Sequence, residues 1–182
     1  MTEDVCCFTG HRPAKLNELF FSSSGYLDEL RYQIKRSIED MIARGVSTFI
    51  TGMAMGTDIW CAQIVLDLKD VYPDIKLYAL VPHRNQAVKW PKEWQDCFDD
   101  ILLRCDEMII LHQKYVVGCM QQRDRVMVDM SGHVIAVYDG TPGGTQYTVE
   151  YAKKKGLDIV VIDPGSVFLS MDDIRNAQTE KK

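Results

Sequence analysis

The sequence predicts an α/β fold, a single Rossmann-like three-layer α/β/α sandwich with a mainly parallel sheet of about six strands. The first observation is that short apolar runs typical of strands alternate with longer segments whose apolar residues recur every three or four positions. The second is that apolar strands separated by helices imply a parallel sheet covered on both faces. Right-handed crossovers between such strands make the sandwich doubly wound.

Length and composition indicate one compact domain with a small ligand. The chain has 182 residues, of which 46% are hydrophobic and 26% charged. These values suit a single globular domain and exclude global disorder. The formal net charge of −5 argues against a protein that coats nucleic acid or an anionic membrane. We therefore expect no membrane association and no nucleic-acid partner, although a local basic cluster can still hold a phosphate.

Processing and redox signals point to the cytoplasm. No segment approaches the roughly 18 apolar residues that span a bilayer. The acidic start of the chain lacks the basic, then apolar, pattern of a signal peptide. The six cysteines include no C-x-x-C pair, so zinc and thioredoxin-like chemistry lack their usual spacing. We expect reduced thiols, no metal site and no cofactor.

The first half of the chain contains three predicted strands and two predicted helices. A strand over residues 5–8 precedes a helix over 26–44, whose apolar residues share one face and which Gly45 ends. A second strand covers 48–50. The next helix begins with a capping residue at 57 or 58 and runs to about residue 71, and a third strand covers 76–81.

The second half repeats the alternation. A helix over residues 91–104 begins at a proline, which a first helical turn tolerates, and a strand over 108–111 follows. A helix over 118–130, a strand over 134–138, a helix over 145–155 and a strand over 159–162 complete the domain. We therefore place the domain at residues 1–165. Residues 166–182 form a polar C-terminal tail with one short helix capped by Ser170.

Ligands of such sheets bind at the carboxyl ends of the strands, near the point where the strand order reverses. The first strand is followed by Thr9, Gly10, His11 and Arg12. Glycine lets the backbone approach a ligand, and arginine offers a planar fork for phosphate or carboxylate. The alternative is a turn with solvated charges.

The turn after the second strand carries Gly52, Gly56, Thr57 and Asp58 and leads into a helix. Free N–H groups and the helix dipole attract anions at such a place. The segment lacks the Gly-Lys-Ser/Thr of a Walker A loop. Asp58 either caps the helix or contacts a ribose hydroxyl, and the sequence leaves both roles open.

The turn after the fifth strand carries Gly143, Gly144 and Thr145, again before a helix. Two adjacent glycines before a helix N-terminus favour a phosphate cradle, and a plain tight turn is the alternative. Glu150 lies one helical turn further on and can approach the same space. Arg123, in the preceding helix, faces either the site or the solvent.

Three further candidates follow the third strand: Pro82, Gln86 and Trp90. If the segment is helical, the four-residue spacing of Gln86 and Trp90 places them on one face. That face either stacks on a base or sugar, or packs as core.

Several of these segments occur together and in order: Thr9 to Pro13, Thr51 to Trp60, Pro82 with Gln86 and Trp90, Arg123 to Asp129, and Gly143 to Ala152. The combination resembles the YpsA/YspA-type branch of the SLOG superfamily, which contains Smf/DprA and LOG proteins, over residues 4–163. The resemblance implies a Rossmann-like fold, a pocket for a nucleotide-derived molecule and a homodimer. The apolar residues of the helix over 91–104 serve either that dimer or the core.

Three functions follow from the resemblance. The first is binding, by sensing or sequestering, of a nucleotide or nucleotide-derived molecule such as an ADP-ribose-type signal. The second is a LOG-like nucleotide N-glycosidase that uses Glu150 and Arg123 as catalytic residues. This chain departs from the LOG pattern at Asp124, where LOG proteins have lysine, and at Gln146-Tyr147, where they have Gly-Thr. The third is a protein-interaction or regulatory factor in stress or cell division.

Overall fold

The computed structural model of the chain describes residues 2–20 and 25–167, with side chains for residues 2–16 and 25–167. The short helix predicted after Ser170 lies outside the described residues. Residues 164–167 are helical.

Six parallel strands form one sheet in the order β4-β3-β2-β1-β5-β6. In chain order they are β1 (Val5–Gly10), β2 (Thr48–Thr51), β3 (Lys76–Val81), β4 (Glu107–Ile110), β5 (His133–Val137) and β6 (Asp158–Ile162). The α/β fold class and the parallel sheet predicted from the sequence are thereby confirmed.

Six helices of eight residues or more connect or flank these strands in the described part of the chain. They are α1 (Pro13–Phe20), α2 (Tyr26–Ala43), α3 (Thr57–Leu68), α4 (Lys92–Arg104), α5 (Cys119–Asp129) and α6 (Gly144–Lys155). Helix α1 was not predicted from the sequence. Its signal was Pro13, because proline is favoured at the first position of a helix.

The helices cover the sheet from both sides. One buried apolar cluster joins α2, α3 and α4 to one face, through residues such as Leu30, Ile34, Ile59 and Ile101. A second cluster joins α5 and α6 to the other face, where Val128 and Val149 pack against the strands. This three-layer arrangement buries the central strands β1, β2 and β5 between helices, as their apolar composition requires, whereas the edge strands β4 and β6 are partly exposed.

The strand order places the reversal point between β1 and β5. From β1 the chain adds β2, β3 and β4 in one direction, and β5 then returns to the opposite side of β1. The loops after β1 and β5 therefore diverge to opposite faces of the sheet and leave a crevice between them. This is the position at which open α/β sheets bind ligands.

The apolar residues of α4 contribute to the core. Phe98 and Ile101 are buried there, and the Trp94 ring lies 6.1 Å from that of Trp60 on α3. These contacts favour core packing for this face of α4, whereas Leu103 is exposed. The homodimer stays a prediction.

Candidate functional site

A pocket of about 320 Å³ lies in the crevice at the reversal point. Its walls come from the loops after β1, β2 and β5 and from the first turns of α5 and α6. Nine residues predicted from the sequence line it: Thr9, Gly10, His11, Arg12, Asp58, Arg123, Gly143, Gly144 and Thr145. The fold thus brings together residues that lie more than a hundred positions apart in the chain.

Gly10 allows the end of β1 to contact the start of α3. A Cβ atom at this position would lie 2.5–2.6 Å from side-chain atoms of Thr57, which real contacts do not permit. The Thr57 hydroxyl donates a hydrogen bond to the carbonyl oxygen of His11 at 3.1 Å. Thr57 is fully buried and does not line the pocket, so it fixes the path of the loop that does.

His11 occupies the wall between β1 and β5. Its Nε2 lies 2.7 Å from a carboxylate oxygen of Asp139, and its Nδ1 lies 3.5 Å from the hydroxyl oxygen of Thr145. Burial lowers the pKa of His11 below its ordinary value, although the hydrogen bond with Asp139 opposes this effect. His11 is therefore a neutral imidazole at pH 7.

Asp139 is held as a carboxylate. Burial by itself raises its pKa, but hydrogen bonds from the backbone and hydroxyl of Thr141 and from His11 outweigh that effect and hold the pKa well below its usual range. The ammonium group of Lys15 lies 3.8 Å from the same carboxylate and donates to the Thr141 hydroxyl.

Two cationic side chains lie at the pocket rim. Lys15 comes from the first turn of α1, and Arg12 from the loop directly before that helix. Arg12 is exposed, and no ion pair or side-chain hydrogen bond joins it to another of the side chains described, those of residues 2–16 and 25–167. Its guanidinium is therefore free to bind an incoming anion.

The N-terminus of α6 forms the wall opposite the β2 loop. The backbone N–H of Tyr147 donates to the carbonyl oxygen of Gly143 at 3.1 Å, and this is the first backbone hydrogen bond of the helix. The N–H groups before it have no partner of this kind, as at any helix start. Gly143 has φ +154°, a conformation that favours glycine, and Gly144 has open space where a Cβ would lie. The loop thus presents bare backbone donors to the pocket.

Arg123 crosses the pocket floor in a buried network. Its Nε donates to Asp124 at 2.6 Å, and its Nη1 donates to the carbonyl oxygen of Gly52 and lies 3.8 Å from Asp58. A Cβ atom on Gly52 would collide with this guanidinium. Of the two placements left open by the sequence, the structure buries Arg123 in the pocket lining and not in the solvent, and its contact with a ligand stays a prediction.

Asp58 is a buried carboxyl group at the same floor. Burial raises its pKa to about 6, although Arg123 and the backbone N–H of Ala54 favour the charged form. That N–H donates to Asp58 at 3.2 Å, so the side chain closes the turn at the start of α3. The N-cap of α3 is Gly56, without a side-chain cap hydrogen bond, so the capping role predicted for Asp58 was wrong. Asp58 lines the pocket, and its contact with a ribose hydroxyl stays a prediction.

The other predicted ligand residues lie outside the pocket. Gly52, Gly56 and Thr57 belong to the segment between β2 and α3, where they make close packing contacts but do not line the pocket. Gln86 donates to the carbonyl oxygen of Met53, and the Trp90 ring packs edge-on against Phe98 at 5.5 Å.

Pro82 is buried at the end of β3, and it also lies outside the pocket lining. Ligand contact by Pro82, Gln86 and Trp90 stays a prediction.

Glu150 also lies outside the pocket lining. It is exposed and accepts a hydrogen bond from Gln146 on the same face of α6 at 2.8 Å. Asp58 and Asp124 are instead the carboxylates that line the pocket.

Seven further residues line the pocket and were not predicted from the sequence: Phe8, Lys15, Ala54, Met120, Gln121, Asp124 and Pro142. Lys15 had a usable signal, because a helix starting at Pro13 places it in the first turn beside the Gly10 loop. The residues of α5 had none, because periodicity does not say which helix end reaches the pocket.

Among the side chains of residues 2–16 and 25–167, no cluster of three or more His, Cys, Asp or Glu is arranged to hold a metal ion. None of the helices in the described part of the chain is long and apolar enough to cross a membrane.

The family comparison identifies the chain. The model of the YspA SLOG family matches residues 6–165. The chain belongs to the YspA SLOG family. The resemblance noted in the sequence is thereby confirmed over nearly the whole described domain, and the pocket lies within the matched SLOG region.

Relatives of this SLOG chain match it along almost its full length. The UPF0398 proteins of Bacillus anthracis (strain A0248) and Bacillus thuringiensis (strain Al Hakam) are each 25% identical over 181 residues. Each match covers 98% of this chain and 96% of the relative.

Two solved structures share the SLOG fold. DNA processing protein A (DprA) from Streptococcus pneumoniae matches with a TM-score of 0.61 and 17% identity, over 88% of this chain and 50% of its own. This chain thus spans about half the length of that protein. DprA from Helicobacter pylori matches with a TM-score of 0.61 and 16% identity, over 94% of this chain and 74% of its own.

The comparison corrects one expectation. The Helicobacter pylori protein is described by its single-stranded DNA binding mode. The sequence argument that excluded nucleic acid as a partner was therefore wrong. Net charge averages over the whole surface, whereas the potential at one edge of a sheet depends on the few groups placed there.

Proposed function

We propose that the protein binds a nucleotide or nucleotide-derived small molecule in the pocket between β1 and β5, as a sensor or a sequestering protein. The observation that carries the proposal is the juxtaposition of the free Arg12 guanidinium with the N-terminus of α6, above a floor that contains Asp58. These groups complement the phosphates and the hydroxyls of one ligand.

The rim supplies the groups that phosphate needs. Arg12, Lys15 and the N–H groups at the start of α6 come from three different segments and all line the same cavity. A guanidinium binds phosphate oxygens through paired hydrogen bonds, and a helix N-terminus adds favourable dipole interaction. We assign the phosphate end of the ligand to this rim.

The floor supplies groups that suit a sugar. Asp58 and Asp124 are carboxylates, which accept hydrogen bonds from hydroxyl groups. Arg123 between them limits their mutual repulsion. A ligand with phosphates at one end and ribose hydroxyls at the other fits this polarity, and an ADP-ribose-type signal is one such molecule.

The size of the pocket favours a small molecule. A cavity of about 320 Å³ is at the lower end of the range for ligand pockets, roughly 300–1,000 Å³. In this proposal residues 1–165 are the binding domain and residues 166–182 a polar tail. All six cysteines are free, which supports a cytoplasmic location.

The N-glycosidase alternative has less support. Such a reaction needs a carboxylate near the anomeric carbon, where positive charge develops. Glu150 lies outside the lining and is hydrogen-bonded to Gln146, and Arg123 is engaged with Gly52 and Asp124.

The test is calorimetry on the full chain with AMP, ADP-ribose, NAD, cyclic ADP-ribose and inorganic phosphate, together with an oligothymidylate. The proposal expects at least one nucleotide to bind with one-to-one stoichiometry and more tightly than inorganic phosphate. Tight binding of the oligonucleotide alone would overturn the small-molecule assignment. Release of free base from AMP would instead favour the glycosidase.

A further inference from the structure

We propose that Asp139, His11 and Thr145 form a hydroxyl-activating triad that gives the pocket a phosphoester-hydrolysing activity, with Thr145 as the nucleophile and His11 as its general base. Asp139 is the positioning residue. The proposal rests on the proposed ligand pocket, because the phosphate rim would hold the substrate. It adds a chemical step that ligand binding alone does not require.

The three side chains form a continuous hydrogen-bonded chain across three segments. The Asp139 carboxylate follows β5 and lies 2.7 Å from His11 Nε2. His11 follows β1, and its Nδ1 lies 3.5 Å from the Thr145 hydroxyl in the first turn of α6. In an activated nucleophile, the hydroxyl lies within hydrogen-bonding reach of an imidazole, and a carboxylate orients that imidazole. The hydroxyl–imidazole distance is often long in the absence of substrate.

The protons in this chain can be assigned. Asp139 is ionised, because hydrogen bonds from Thr141 and His11 stabilise its charge, so its carboxylate only accepts and Nε2–H donates to it at 2.7 Å. The backbone N–H of Asp139, at 3.4 Å, is the weaker of the two contacts to Nε2. Burial keeps the imidazole of His11 neutral at pH 7. Nδ1 then has a free lone pair, and the Thr145 hydroxyl is the group that donates to it. This is the tautomer that a general base requires.

The pocket around Thr145 is suited to phosphoryl chemistry. Both His11 and Thr145 line the cavity, as do Arg12 and Lys15. The N–H groups at the start of α6 lie on the same helical turn as the Thr145 hydroxyl. Donors and cations of this kind stabilise the negative charge that develops on phosphoryl oxygens in the transition state.

The reaction proceeds in two balanced steps. Thr145 Oγ bonds to phosphorus while its proton moves to His11 Nδ1, and the bond to the leaving oxygen breaks as that oxygen takes the proton from His11. Water then attacks the phosphothreonine and gives a proton to His11. Thr145 Oγ leaves with the bonding pair and recovers that proton, so the sum is phosphoester plus water giving alcohol plus phosphate.

The test is labelling of the full chain with an ethyl fluorophosphonate probe, followed by peptide mass spectrometry. The proposal expects phosphonylation of Thr145, lost in Thr145→Val and slowed about a hundredfold or more in His11→Gln, because general-base catalysis contributes about 10²–10⁴. His133→Gln is the matched control. It removes another histidine near an aspartate, Asp158 at 3.4 Å, at the opposite end of the sheet.

A second hydroxyl provides a control on α6 itself. Thr148 donates to the carbonyl oxygen of Gly144 and does not line the pocket, so Thr148→Val should leave labelling unchanged. Thermal melts of every variant verify that it is folded. Labelling elsewhere, or equal labelling of Thr145 in folded His11→Gln, would overturn the proposal.

Two further measurements separate the triad from a structural role and from the proposed function. The ¹⁵N shifts of His11 should report the neutral tautomer protonated at Nε2, and an imidazolium or the Nδ1–H tautomer would overturn the proton assignment. Nucleotide binding without labelling would overturn the triad alone. Labelling without nucleotide binding would overturn the proposed function alone, and absence of both would overturn both.

Discussion

The guanidinium of Arg123 on α5 donates to the carbonyl oxygen of Gly52 at the end of β2, from across the pocket floor. The contact joins the helix that returns the chain to β5 with a loop on the other side of β1. Arg123 also pairs with Asp124 and lies 3.8 Å from Asp58, so one buried cation organises the floor.

Replacing Arg123 should destabilise the fold. Arg123→Met leaves buried carboxylates without their cation, and the free energy of unfolding should fall by about 3–5 kcal/mol. The double variant Asp58→Asn/Arg123→Met should lose less than the sum of the two single variants, as urea denaturation would measure. Arg125→Met, on the same helix but exposed, is the control and should change stability by less than about 1 kcal/mol. Strict additivity would contradict the network.

The stability of the protein should depend on the titration of Asp58. Its pKa rises from 3.8 in the unfolded chain to about 6 in the folded one, so the folded state holds the proton more tightly. The contribution is fully present below pH 3.8 and is lost as pH rises through 6. Relative to Asp58→Asn, the wild type should lose about 2.4 kcal/mol between pH 4 and 7. A constant difference between the two proteins across this range would refute the assignment.

Gly10 should be intolerant of a side chain for a steric reason. The Cβ of Gly10→Ala would lie 2.5–2.6 Å from Thr57, and overpacking of this kind costs about 1–3 kcal/mol. Chemical denaturation should show this loss. In the background of Thr57→Ala the same substitution should cost less, because two of the colliding atoms are gone. An equal cost in both backgrounds would show that the contact does not determine stability.

Gly144 should tolerate a side chain in the fold but not in the ligand complex. No atom lies within 4 Å of a Cβ built at this position, and the residue lines the pocket. Gly144→Ala should therefore leave the free energy of unfolding within about 0.5 kcal/mol of wild type or raise it slightly. The added methyl group should weaken nucleotide binding about tenfold or more in calorimetry. Unchanged affinity would place the ligand elsewhere.

The strands and most helices were predictable because each follows from the spacing of apolar residues within its own segment. Apolar runs such as residues 76–81 coincide with β3, and the apolar spacing of residues 26–44 matches α2 to within one residue. The missed helix, α1, is short and begins at Pro13, so it offers few periods for a pattern to repeat. Its omission also hid Lys15 from the predicted site.

The site was predictable where a strand ends in a glycine turn and less so elsewhere. Gly143, Gly144 and Thr145 follow directly from the chain order and line the pocket. The spacing of Gln86 and Trp90 suggested a shared face. In the structure Trp90 packs against Phe98, and Gln86 donates a hydrogen bond to the carbonyl oxygen of Met53. Periodicity identifies a face without saying whether core or ligand covers it, and tertiary packing decides between them.

The free Arg12 guanidinium at the pocket rim should bind the phosphate of a nucleotide. Calorimetry should compare the full chain with Arg12→Gln and with Arg36→Gln, which removes an exposed arginine on α2, away from the pocket. A charge-assisted hydrogen bond contributes about 1.5–3 kcal/mol, so Arg12→Gln should weaken nucleotide binding by about tenfold or more, whereas Arg36→Gln should leave it unchanged. Equal affinity of wild type and Arg12→Gln for every nucleotide that binds would contradict the account.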